Sequence, residues 1–163
     1  DNRGEEKGDV REISAGRPEG GHRLFGKRGG GRFKAYSAGS HPKGAVHPQT
    51  LKLLAGLGFA TSGLRSKSWD EFAGPNAVEF DFIFTVCDQA AGEMCPVWPG
   101  HPMTAHWGVA DPAAKEGTDE QLDRIFWDTA MILRRRIELM LALPIDSLDS
   151  LAIQREIEAI GKH

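Results

Sequence analysis

Cysteine is scarce in this chain. Only Cys87 and Cys95 occur in 163 residues, and none precedes Cys87. That count excludes a small secreted scaffold held by disulfides. Positive charge is not in excess either: 20 Lys and Arg stand against 23 Asp and Glu, for a net charge of −3. A protein whose main contacts are with a phosphate backbone is thereby excluded, and nucleic acid is not expected as a partner. No apolar run approaches the ~18 residues of a membrane span. No charged-then-apolar leader opens the sequence, so a cytoplasmic protein without a membrane partner is expected. The 40% hydrophobic content can supply a real core, and the length suits one domain of about 100–200 residues.

Residues 1–32 hold 9 of the 20 glycines, 14 charged residues and only five apolar ones, with no period of two or 3.6. Such a segment buries too little surface to offset its ordering entropy. Residues 1–30 are therefore expected to be disordered or misread, with the domain over 31–163. Gly29-Gly30-Gly31 does not make a phosphate cradle, because no strand precedes it and no Gly-x-x-x-x-Gly-Lys-Ser/Thr pattern surrounds it. The segment's 8 basic and 6 acidic residues leave 12 and 17 for the rest, which is therefore near −5.

From Phe33 onward strands and helices alternate. Residues 33–37 read as a short strand and 38–44 as a loop. Pro48 opens a helix carrying Leu51, Leu54 and Leu57, with Gly58 as its stop. Residues 66–72 read as a short helix. Phe80 to Val86 is a densely apolar strand of the kind covered on both faces. Residues 87–117, with four prolines and four glycines, read as a long loop-rich region. Thr118 with Gln121 forms a capping-box pattern. The stripe Leu122, Ile125, Phe126, Ala130, Leu133, Ile137, Met140 and Leu141 comes next, and Pro144 ends it. A last helix is expected over residues 147–160. This alternation favours an α/β domain with a parallel sheet.

Ligands of open α/β sheets bind beyond the carboxyl ends of strands, and Cys87 lies at such an end. Cys95 stands eight residues later. A flexible or helical link of that length can join the two sulfurs or hold them apart, so a redox pair and two buried apolar cysteines are both open. Zinc held by Cys87, Cys95, His101 and His106 is not expected, since the first gap exceeds the two to four residues of a structural pair. Asp111-Pro112 either starts a turn or offers a general acid. Arg134-Arg135-Arg136 reads as a solvated helix face, because consecutive residues point in different directions.

Several segments then form a pattern together: Gly31-Arg32-Phe33-Lys34-Ala35-Tyr36-Ser37-Ala38-Gly39-Ser40, Ser66-Lys67-Ser68-Trp69, Phe82-Ile83-Phe84-Thr85-Val86-Cys87-Asp88, Cys95-Pro96-Val97-Trp98-Pro99-Gly100, and Thr104 to Ala113 through His106-Trp107-Gly108 and Asp111-Pro112. The series resembles the thioredoxin-coupled arsenate reductases of the low-molecular-weight protein-tyrosine-phosphatase superfamily. The resemblance implies a three-layer fold with a central parallel sheet. It also implies a Cys-x5-Arg loop after the first strand, whose thiolate attacks arsenate while backbone amides and the arginine hold the oxyanion. A second cysteine, matched by Cys87, attacks the arsenic-bound one and releases arsenite. A third, matched by Cys95, closes a disulfide that thioredoxin reduces. Asp111 matches the general acid for oxygen departure. The implied partners are thioredoxin and an arsenate- or phosphate-type oxyanion, with no bound cofactor.

The chain departs from this pattern at its front. Residues 1–30 contain no cysteine, so the first strand and phosphate loop are expected to be missing or replaced. Two explanations are open, a frameshift or wrong start upstream of Gly31 and a degraded gene copy, and the first is the one expected because the rest of the domain reads as intact. Loss of a central strand would leave its neighbours without ladder partners and the domain marginal. The function expected is arsenate reduction, impaired in the chain as written. The alternatives are a low-molecular-weight tyrosine phosphatase, in which Cys87 and Cys95 are idle, and a non-catalytic remnant.

Overall fold

The computed structural model describes residues 12–16, 33–39, 44–75, 79–87 and 100–163. Within them lie four strands, β1 (Glu12–Gly16), β2 (Lys34–Ala38), β3 (Phe82–Cys87) and β4 (Met103–Val109). Three helices accompany them, α1 (Pro48–Gly56), α2 (Asp119–Leu141) and α3 (Ser150–Ile160), with 3-10 turns at Trp69–Phe72, Pro112–Ala114 and Ile145–Ser147. The strands form one sheet in the order β2-β1-β3-β4. β3 and β4 are parallel, with Phe82 opposite Met103 and Thr85 opposite His106. β1 is antiparallel to both neighbours, Glu12 facing Ala38 on one side and Thr85 on the other. Strands β2, β3 and β4 thus point one way and β1 alone opposes them.

Two expectations change. The front segment, read as lacking structure, contributes the strand in the central slot, so β2 and β3 keep ladder partners. Composition misses this because a slot between two strands is filled by backbone N–H and C=O groups, which any proline-free stretch carries. The other residues of 1–32 lie outside the described residues. The region after Cys87, read as loop-rich with no strand assigned, contains β4. Ala105 and Trp107 are buried while Thr104 and His106 are exposed, a period-two pattern diluted by the prolines and glycines around it.

The helices begin where their caps fall. Pro48 occupies the first turn of α1, and the Gln49 N–H donates to His47 Nδ1 (3.1 Å). Gly58 lies just beyond the helix at φ +81°, where a side chain would be strained. Thr118 and Gln121 form the reciprocal capping box of α2. The last helix starts later than expected. Pro144 leads into a 3-10 turn, and Asp149 caps α3 by accepting from the Ala152 N–H (2.7 Å).

The main core lies between one face of the sheet and helices α2 and α3. It joins Phe82, Phe84, Ala105 and Trp107 to Ile137, Met140, Ile153, Ile157 and Ile160. On the other face Tyr36, Phe72 and Phe80 meet edge to face, with centroids 5.5–5.6 Å apart. Arg136, expected on a solvated face, is only 6% exposed. Its position gave the signal: it falls three residues after Leu133 and four before Met140, inside the apolar stripe.

The turn after α3 presses against β4. A Cβ on Gly161 would stand 2.5 Å from the His106 carbonyl oxygen and 3.0 Å from Trp107 Cδ1. The φ of −62° suits any residue, so the constraint is steric alone. Gly161→Ala is expected to cost about 1–3 kcal/mol, as overpacking does. A urea-unfolding midpoint equal to that of the parent chain would contradict this.

Candidate active site

Three strand ends converge at one end of the sheet. β3 finishes at Cys87, whose backbone pairs with Val109 of β4. Asp111 stands two residues beyond Val109. It is partly buried, and its Oδ1 accepts from the Ala113 N–H (2.9 Å), capping the 112–114 turn. Beyond β2, the Gly39 N–H donates to the Lys67 carbonyl and the Trp69 N–H donates to the Gly39 carbonyl, both at 2.9 Å. Those bonds tie the third strand end to the 66–69 segment. Lys67 is buried there, at 5% exposure. The N-terminal parts of α1 and α2 are in contact. The His47 ring packs on Phe126 at 4.8 Å between centroids, and Lys52 pairs with Asp123.

The ladder between β3 and β4 is irregular just before this end. Thr85 faces His106 but Cys87 faces Val109. β4 therefore spends three residues where β3 spends two, and Trp107 and Gly108 together oppose Val86. Such a bulge bends a strand and re-aims the chain beyond it; here that is the approach to Asp111. On the sheet face opposite the main core the Thr85 hydroxyl and His106 Nδ1 are hydrogen-bonded at 2.7 Å.

Cys87 and Asp111, singled out from sequence, thus come to the same end of the sheet. Cys95 lies outside the described residues. Among the described residues, no group of three or more His, Cys, Asp or Glu could hold a metal ion. No helix among them is long and apolar enough to cross a membrane. Thr85, the bulge and Arg136 were missed as parts of this end. The alternation of Thr104 to Trp107 and the place of Arg136 in the stripe were the available signals.

Residues 22–148 match the low molecular weight phosphotyrosine protein phosphatase family. The chain belongs to that family. The α/β fold expected from the resemblance accords with this membership. Among curated proteins, the chain is similar to the arsenate reductase of Halalkalibacterium halodurans, at 35% identity over 97 residues, covering 60% of this chain and 66% of the relative. It is 36% identical over 92 residues to that of Bacillus subtilis, covering 56% and 63%. The arsenate reductase of Shouchella clausii is 35% identical over 94 residues, covering 58% and 64%. The matched part thus spans a little under two thirds of each relative's length.

The 69–72 turn also carries an ion pair. Arg65 donates through Nη1 and Nη2 to the two carboxylate oxygens of Glu71, at 2.7 and 2.6 Å. The bidentate bond holds the Glu71 carboxyl below its ordinary range. With its folded value depressed, Glu71 adds stability above the ordinary carboxylate range and loses it as the pH falls through the folded value. Both side chains are well exposed, so the gain is on the order of 0.2–1 kcal/mol. Glu71→Gln should lower the urea midpoint slightly near neutral pH and match the parent chain in strong acid. An equal difference at both pH values would refute the assignment.

Proposed function

We propose that this chain carries the relay half of an arsenate reductase. In this reading arsenate is bound to a first cysteine thiolate. Cys87 attacks that sulfur and forms an S–S bond, the electron pair of the S–As bond passes to arsenic, and arsenite leaves. Asp111 gives a proton to a departing oxygen. Cys95 then attacks Cys87, freeing the first cysteine. The Cys87–Cys95 disulfide takes two electrons from the dithiol of thioredoxin. The observation that carries the reading is the pairing of the Cys87 backbone with Val109, which brings the end of β3 within two residues of Asp111. Family membership and three relatives named arsenate reductase support it.

The 163 residues hold two of the three thiols this cycle uses. Mild oxidation of the chain should therefore form an internal Cys87–Cys95 disulfide, seen by mass spectrometry. Thioredoxin should reduce it, and Cys87→Ser should abolish the reaction. Arsenate-dependent oxidation of thioredoxin by the chain alone should stay at background. Two thiols that remain free under mild oxidation, or a disulfide inert to thioredoxin, would overturn the relay.

A further inference from the structure

Arg136 is a buried cation that donates three hydrogen bonds to main-chain carbonyls. Nη1 donates to the carbonyls of Trp107 (2.6 Å) and Gly108 (3.1 Å), and Nε donates to the carbonyl of His163 (3.1 Å). Trp107 and Gly108 are the two residues of the β4 bulge, whose ladder to β3 is broken there. A bulge leaves main-chain groups without strand partners, and buried groups of that kind are costly unless satisfied. One nitrogen of the planar guanidinium satisfies both while Nε of the same rigid group reaches the His163 carbonyl, a fixed spread of donors that the single nitrogen of a lysine does not reproduce. The same stretch is also held by α3 and the turn that follows it. Trp107 Nε1 donates to the Ile157 carbonyl at 2.9 Å, and Gly161 lies against the His106 carbonyl. Asp111 comes three residues after Gly108.

We infer that Arg136 is a positioning residue for Asp111: by locking the β4 bulge it fixes the path that carries the Asp111 carboxylate to its place beside the end of β3. The inference rests on the reading of Asp111 as an acid. The locking itself is read without turnover, so the two fail separately.

The test is amide exchange by NMR on the full chain, on Arg136→Lys and Arg136→Met, and on Leu54→Ala. The last is a buried α1 substitution that destabilises the chain away from β4. The Ala113 N–H, which Asp111 holds, should exchange at least about tenfold faster in both Arg136 variants than in the Leu54 variant when compared at equal global stability. The Asp111 carboxyl carbon resonance should shift in the Arg136 variants and stay put in Leu54→Ala. A double-mutant cycle of Arg136→Lys with Asp111→Asn should be non-additive at the Ala113 amide. Additive effects, or an Ala113 amide that tracks global stability alone, would overturn the inference. Should both Arg136 variants fail to fold, exchange in the parent chain under sub-denaturing urea decides it. The Arg136 Nε–H and the Gly108 and Ala113 amides should open together, and independent opening of Ala113 would refute the lock. If the lock holds while Asp111→Asn leaves thioredoxin-coupled chemistry intact in a chain supplied with the first cysteine, the acid reading alone fails.

Discussion

Trp107→Ala should destabilise the chain by about 3–5 kcal/mol, the range for deleting a large aromatic side chain from a core. The indole is fully buried and stacked on Phe84, with ring centroids 4.0 Å apart. Its removal leaves a cavity between β4 and α3 and takes the donor from the Ile157 carbonyl. Domains of this size have about 5–15 kcal/mol in total, so the variant should be largely unfolded at physiological temperature. Trp107→Phe separates the contributions. It keeps most of the stacking and loses the N–H, and about 1–3 kcal/mol is expected for the stranded carbonyl. Urea unfolding monitored by far-UV circular dichroism measures both. A loss under about 1 kcal/mol in the alanine variant would contradict the core assignment.

The second large effect concerns chemistry, and it turns on the direction of β1. Glu12 pairs with Thr85 and Ala15 with Phe82, so the chain leaves β1 at the end of the sheet where β3 begins. Cys87 and Asp111 are at the other end. A cysteine loop placed after Gly16 would emerge on the wrong side. Replacing residues 1–32 with a strand that runs parallel to β3, then Cys-x5-Arg and a helix, should deliver the loop beside Cys87. Under the proposed function, that chimera should reduce arsenate at least about a hundredfold faster than the parent chain, the scale attributed to one oxyanion-stabilising group. Cys87→Ser in the chimera should return the rate to background. The same loop inserted after Gly16 should gain nothing. A chimera indifferent to Cys87→Ser would end the relay reading, and equal activity from the two insertions would show that strand direction does not place the loop.

Much of this was legible in the residues. The aromatic run ending at Cys87 gave β3 and the end of the sheet where the site lies. Thr118 with Gln121 gave the start of α2, and Pro48 the start of α1. These are local signals, in which the residue that causes the feature sits within a few positions of it. The features that escaped were non-local. β1 exists through backbone pairing with two strands distant in sequence, and its side-chain pattern does not announce it. β4 alternates over four residues between proline-rich flanks, too briefly to outweigh them. Arg136 sits in a triplet of arginines that looks solvated until the stripe is traced through Leu133 and Met140. Its partners lie 27 to 29 residues away in sequence.

The outer rim of β4 bears on how the protein behaves in company. Gln154 donates to the Thr104 carbonyl, and Arg136 to those of Trp107 and Gly108. An edge strand with acceptors on offer is a template for another chain. Here the carbonyls of Thr104, Trp107 and Gly108 are taken by side chains from α2 and α3, so a neighbour pairing along this strand would meet acceptors that are already engaged. The same contacts that shape the fold thus guard against fibre-like stacking on that side.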